Sequence, residues 1–255
     1  MCYDISYLTK RQVDYAARYG SAEDVEDIQR RLPKVYHTNG FQHAEVPVVT
    51  NREPGRLQLF EWGLVPRWVK SREEAGTFRQ KTLNARGETI FEKPSFRHAA
   101  RNNRCLVIVD GFFEHHHKRG KAFPFFIQRK DGKPLALGGL WEEWHDKEDG
   151  EVRFTFSIVT TSANPRMAFL HNNPKILKTG PRMPLILPWE HEKTWLDTEI
   201  PPGEIQQLIL PFPEEYLTDH SVPPLRGAHS PGNVPGAVQA HRYVELEEGE
   251  QQALF

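Results

Sequence analysis

Apolar and polar positions alternate in short runs through the middle of the chain and take a helical spacing only towards its ends and edges. Arg104 to Phe113 is almost continuously apolar, which predicts a buried strand. Leu57 to Val65, Phe123 to Arg129, Leu135 to Trp144 and Phe154 to Thr161 carry alternating or β-branched and aromatic residues and predict further strands. The charged stretch Asp146 to Gly150 joins the last two as a hairpin, and Lys130-Asp131-Gly132-Lys133 reads as a turn. Val35 to Val49 is extended around the turn signal Asn39-Gly40. Lys10 to Leu32 predicts one or two helices with Tyr15, Ala16, Tyr19 and Ile28 inward and Pro33 as the stop. Thr82 to Glu92 begins extended and turns helical after Arg86. Ala163 to Leu170, Glu190 to Leu196 and Glu204 to Leu210 predict short helices, and Met183 to Leu187 a short strand. Val222 to Gly236, rich in Pro and Gly, reads as an ordered irregular connection. Strands in the middle with helices around them predict an α+β fold with a largely antiparallel, barrel-like sheet.

At 255 residues the chain can bury a large core as one domain, 1–255, without staples. Its two cysteines, Cys2 and Cys105, make no disulfide framework, and no secretion leader is visible, so a reducing cytoplasm is the expected setting. No apolar run is long enough to span a membrane, which excludes a helical membrane protein. The net charge of −1 hides an asymmetry. Pro66 to Arg104 holds ten Lys/Arg against four Asp/Glu, whereas Pro188 to Phe255 holds three against twelve. Local positive charge sets the attraction to phosphates, so a basic face for nucleic acid is compatible with a neutral total. An ordinary solvated patch explains the same composition.

Cys2 is the residue with the most unusual chemistry. Removal of Met1 leaves a cysteine carrying both a thiol and a free α-amine, with ordinary pKa values of about 8.5 and about 8. Such a 1,2-aminothiol condenses with an aldehyde to an imine and closes through sulfur to a thiazolidine. The bland alternative is an accidental cysteine in a frayed terminus. Asn84-Ala85-Arg86 lies inside the basic stretch. An Asn amide there can orient a nucleophile and the Arg can bind a phosphate, or the segment is a capped turn. Glu114 ends the apolar strand, where desolvation raises a carboxyl pKa and suits proton transfer. A solvated strand-end carboxylate is the alternative. His115-His116-His117 does not converge on one ion, because successive strand residues face opposite ways, and no metal motif is present, so no metal or cofactor is expected. His171 precedes a loop that leads to Arg182, with Thr160-Thr161-Ser162 upstream as possible polar neighbours. Trp68, between Arg67 and Lys70, suits stacking on an unpaired base, although most of the aromatics belong to the core.

In order along the chain these segments resemble the SOS response-associated peptidase (SRAP) family. The matching blocks are Met1-Cys2; Trp62-Gly63-Leu64-Val65-Pro66 with Trp68; Asn84-Ala85-Arg86 with Glu88-Thr89; Arg104-Cys105 followed by Gly111-Phe112-Phe113-Glu114; Gly139-Leu140-Trp141; Phe156-Ser157-Ile158-Val159-Thr160; and Arg182-Met183-Pro184 with Ile186-Leu187. They span residues 2–233 and leave 234–255 as an acidic extension. The resemblance implies a protein that crosslinks to abasic sites in single-stranded DNA, with Cys2, Asn84, Glu114 and His171 catalytic and Arg86, Trp68, Arg182 and Thr160 contacting DNA. It implies no cofactor, membrane or obligate protein partner, and nucleoid association in a bacterium. Two departures stand out. Many members begin Met-Cys-Gly-Arg, with that Arg on the DNA, and here Tyr3-Asp4 follows Cys2. The family's histidine lies next to the Arg-Met-Pro block, and here the nearest, His171, is eleven residues before Arg182. Two other readings remain: a cysteine peptidase limited to removing Met1, and a non-covalent binder of single-stranded DNA.

Overall fold

Strand pairing turns the alternating runs into two sheets. The computed structural model describes residues 2–7, 30, 34–176 and 179–247. The strands in chain order are β1 (Asp4–Tyr7), β2 (Val35–Asn39), β3 (Glu45–Thr50), β4 (Leu57–Trp62), β5 (Asn84–Arg86), β6 (Arg104–Val109), β7 (Gly111–Lys118), β8 (Lys121–Arg129), β9 (Leu135–His145), β10 (Val152–Ser162), β11 (Arg182–Pro184) and β12 (Leu217–Ser221). The first sheet has the order β12-β8-β7-β1-β2 and is antiparallel throughout. In the second, β4, β3, β6, β9 and β10 pair in turn, and β10 returns to β4 to close a five-stranded barrel. Closure removes the unpaired edges of those strands. Only the β4–β10 seam of the barrel is parallel, and the end of β10 also carries β5 in parallel and β11 in antiparallel pairing. The expected antiparallel barrel with peripheral helices is therefore what the chain forms.

One apolar cluster joins the two sheets, with Ile5, Tyr7 and Phe112 from the first packing on Val46, Val107, Trp141 and Ile158 from the barrel. Each such side chain contributes about 1.5–3 kcal/mol by leaving water. Buried tryptophans keep their N–H groups satisfied: Trp62 donates to the Leu83 carbonyl at 2.8 Å and Trp195 to that of Cys105 at 2.9 Å. Cys105 is fully buried and packs against Gly139 as a small hydrophobe.

The Arg104–Phe113 run is not one strand. Asp110 breaks it, its backbone N–H going to the Ser6 carbonyl at 2.8 Å, so that β6 stays in the barrel and β7 crosses to the other sheet. Gly111 allows this passage, since a Cβ there would lie 2.4 Å from the Ile127 carbonyl oxygen. Hydrophobicity does not mark a change of sheet when both sheets share one core. Glu114 therefore lies within β7 rather than at a strand end. A helix at Arg72–Lys81 has too little amphipathic pattern to show in the sequence. Its Ser71 cap accepts from the Glu74 N–H, with acidic residues in the first turn and basic ones in the last. The predicted Lys10–Leu32 helices fall almost wholly outside the described residues. Beyond Asn233 the chain packs through Tyr243, whose hydroxyl donates to the Val222 carbonyl at 2.8 Å. No helix among the described residues is long and apolar enough to cross a membrane.

Candidate functional site

The pairing places the start of the chain inside the molecule. β1 lies between β7 and β2, with Asp4 opposite Phe113 and Ile5 opposite Phe112, so Cys2 enters beside the Glu114 end of that register. Cys2 is 1% exposed, which removes the frayed-terminus reading. Burial pushes its thiol well above the ordinary value. β5 is held on β10 with Asn84 opposite Ile158, and Asn84 Nδ2 donates to the Cys2 carbonyl at 2.8 Å. Asn84 Oδ1 is buried and has no hydrogen-bond partner among the described residues.

A cleft of about 450 Å³ opens at Tyr3, the neighbour of Cys2, and is lined among others by Arg86, Glu114, His171, Arg182 and Arg226, while Cys2 and Asn84 do not line it. That volume suits a ligand of nucleotide size. Glu114 is 7% exposed, and its Oε1 accepts from the His115 N–H at 2.9 Å. His171 caps the helix Pro165–Leu170. Its Nδ1 lies 2.9 Å from the Arg182 backbone nitrogen, 3.0 Å from the Arg182 carbonyl oxygen and 3.9 Å from Glu114 Oε2. Nδ1 can accept from that N–H or donate to that carbonyl according to the tautomer. The loop after His171 thus returns the chain to Arg182 and restores a His–Arg neighbourhood that sequence spacing hides.

Arg182 and Thr160 are placed differently from the expected DNA contacts. Thr160 is fully buried. Arg182 donates through Nε to Thr160 Oγ1 at 3.1 Å and pairs with both Glu88 carboxylate oxygens at 2.9 and 2.7 Å. These bonds commit the guanidinium, and the pair braces β10, β11 and the His171 loop. Arg86 is exposed on the cleft wall, as a phosphate contact requires. Trp68 is 49% exposed and meets Phe78 edge-on at 5.0 Å, but it does not line the cleft. His115 and His117 do line it, while His116 stacks on Phe169 at 4.5 Å.

Sequence reasoning missed one constellation. Asp4 is buried, and its Oδ1 lies 2.8 Å from His37 Nε2 and 2.9 Å from Arg226 Nη2. The carboxylate standing where many SRAP members carry an arginine therefore holds an arginine from the far end of the chain. Its sequence signal was Asp4 itself, a charged residue within an otherwise buried strand.

Comparison with known proteins shows the family of the chain. The model of the SOS response associated peptidase (SRAP) family matches residues 1–225. The chain belongs to the SRAP family. It is 32% identical over 216 residues to abasic site processing protein YoaM of Bacillus subtilis, covering 82% of this chain and 88% of the relative. It is 30% identical over 243 residues to abasic site processing protein HMCES of Gallus gallus, covering 84% and 68%. A crystal structure of a Bacteroides thetaiotaomicron protein superposes with a TM-score of 0.82 at 36% identity, over 94% of this chain and all of that one.

Two outcomes follow for this SRAP protein. Arg86→Ala is expected to weaken single-strand binding regardless of sequence and to flatten the log–log salt dependence by roughly 0.7 of a unit, as for one phosphate contact. Unchanged affinity and slope in a folded variant would take Arg86 off the DNA. The second concerns stability. Burial holds His43, His115, His116 and His171 below the ordinary value of 6.5. The unfolded chain then takes up protons that the folded chain refuses, so stability is complete above about pH 6.5 and falls as pH drops below it. Thermal melts across that range check this, and a melting temperature that holds steady or rises on acidification would contradict it.

Proposed function

We propose that this SRAP protein forms a covalent thiazolidine crosslink between Cys2 and ring-opened abasic sites in single-stranded DNA. The abasic-site activity named for its relatives supports the substrate class. The observation that carries the proposal is the Asn84 clamp: Nδ2 holds the Cys2 carbonyl while Oδ1 is left buried without a donor. A buried acceptor without a partner is costly, and we assign the α-amine uncovered by loss of Met1 as its donor.

In the reaction, the neutral Cys2 amine attacks the C1′ aldehyde, and the carbinolamine loses water to give an imine. The thiol then adds to the imine carbon while its proton passes to nitrogen. The net change is one water lost. Glu114, buried at the cleft wall, moves protons to the departing hydroxyl and between sulfur and nitrogen, and His171 assists at the opened sugar. Arg86 holds a flanking phosphate.

Burial of the Cys2 thiol favours this order over thiolate catalysis, because it disfavours the charged sulfur that a peptidase needs. His171 Nδ1 is engaged by the Arg182 backbone. The test is parallel incubation with an abasic single-stranded oligonucleotide, the intact oligonucleotide and a casein-type peptide mixture, read on denaturing gels. A heat-stable shift with the abasic strand alone is expected. Peptide cleavage without that shift would contradict the proposal.

A further inference from the structure

A second groove adjoins the Cys2 cleft. Its volume is about 720 Å³, and it runs along β2 beneath the 225–233 segment. Arg226 and His37 stand at its inner end, and Arg226 lines both cavities. The Arg226 side chain is 56% exposed, and its Nη2 is anchored on both oxygens of buried Asp4 at 2.9 Å. Those are its only hydrogen bonds among the described residues, which leaves Nε and Nη1 as donors at the junction of the two cavities.

The groove wall presents the same polarity. Asn39, Gln42 and Asn233 each spend the side-chain oxygen internally: Asn39 Oδ1 accepts from Phe41 N at 2.8 Å, Gln42 Oε1 from Asn39 N at 3.4 Å, and Asn233 Oδ1 from Tyr36 N at 2.7 Å. Those bonds fix which end of each amide is nitrogen. The NH2 groups of all three have no partner among the described residues. The junction and groove thus offer one guanidinium and three neutral NH2 groups, with the exposed Glu45 as the carboxylate on the groove wall. A ligand rich in acceptors and carrying negative charge is the match, which describes a sugar–phosphate strand. The Asn233 bond also occupies the exposed edge of β2, so an extended peptide cannot add there by strand pairing.

We propose that the DNA strand leaving the Cys2 cleft crosses Arg226, which binds the phosphate at the junction, and continues along the β2 groove. This rests on the abasic-DNA reading above. Asp4, standing beside the nucleophile, is then a positioning residue: it aims the Arg226 guanidinium at the strand and makes no DNA contact of its own.

The experiment compares wild type with Arg226→Gln and Arg226→Lys on abasic single strands of two kinds, one with long flanks on both sides and one trimmed to a single nucleotide on either side. Arg226→Gln is expected to weaken binding to the long strand roughly tenfold and to lower the salt slope by roughly 0.7 of a unit. Arg226→Lys is expected to restore most of that slope. On the trimmed strand, which cannot extend along the β2 groove, the loss of affinity in Arg226→Gln is expected to be smaller than on the long strand. A structural role for Arg226 would lower the melting temperature of both variants without a change of slope, and that result overturns the inference. So does an unchanged slope for Arg226→Gln while wild type still crosslinks. Failure of wild type to form any adduct would instead overturn the parent reading.

Discussion

Cys2→Ala is expected to abolish the adduct that survives heat and denaturant on abasic single-stranded DNA, from near-complete conversion to none. Alanine keeps the α-amine, so a reversible imine still forms, but no sulfur is present to close the ring. The substitution is small at a buried position, and the backbone carbonyl that Asn84 holds is untouched, so the fold is expected to persist. Cys2→Ser separates the two steps. It should give little stable adduct while retaining an imine that borohydride traps. Denaturing gels with and without borohydride make the comparison. Full-strength heat-stable adduct from the alanine variant would sink the thiazolidine mechanism. Cys105→Ala, by contrast, should leave crosslinking unchanged, because that thiol lies buried in the barrel wall.

Glu114→Gln is expected to slow crosslinking or its reversal by roughly 10²-fold or more, the usual cost of losing a positioned acid–base group. The change is nearly isosteric, and the glutamine oxygen can still accept from the His115 N–H. What disappears is a carboxylate able to give and take a proton beside Cys2 and His171. His171→Ala should cost less, since it assists at the sugar and Glu114 carries the main transfer. Quenched time courses at saturating DNA measure both. Rates for Glu114→Gln that match wild type would make the carboxylate a structural group.

The strands were legible because alternation and β-branched runs are local signals. β8, β9 and β10 fall close to the predicted segments, and the Asp146 to Gly150 hairpin is where the charge run placed it. The split of Arg104–Phe113 between two sheets was not legible, because an apolar run reports burial and not the identity of its neighbour. β1 was missed because four residues with an aspartate at their head do not read as a central strand. The site shows the same division. Cys2, Asn84, Glu114 and His171 could be named from residue type and order, and the fold brings Asn84 to Cys2 and His171 to Glu114. Exposure could not be named. Thr160 and Arg182 look like polar surface groups in the sequence, yet the fold buries both and bonds them to each other. Trp68 keeps the exposure that stacking needs but stands away from the cleft. The Asp4–Arg226 pair links positions 222 residues apart, and no local pattern announces it.

The central claim is that Cys2 acts through sulfur and α-amine together. Peptide-level mass spectrometry tests it directly, applied to two forms of the protein mixed with one abasic oligonucleotide. One form has a free Cys2, and the other retains an uncleaved extension before it, which turns the amine into an amide that cannot form an imine. The account predicts an adduct on the N-terminal peptide of the first form, with Met1 absent and one water lost. It predicts none on the second, although that form keeps the thiol, Asn84, Glu114 and His171. Equal adduct yield from both forms, or an adduct on another residue, would contradict it.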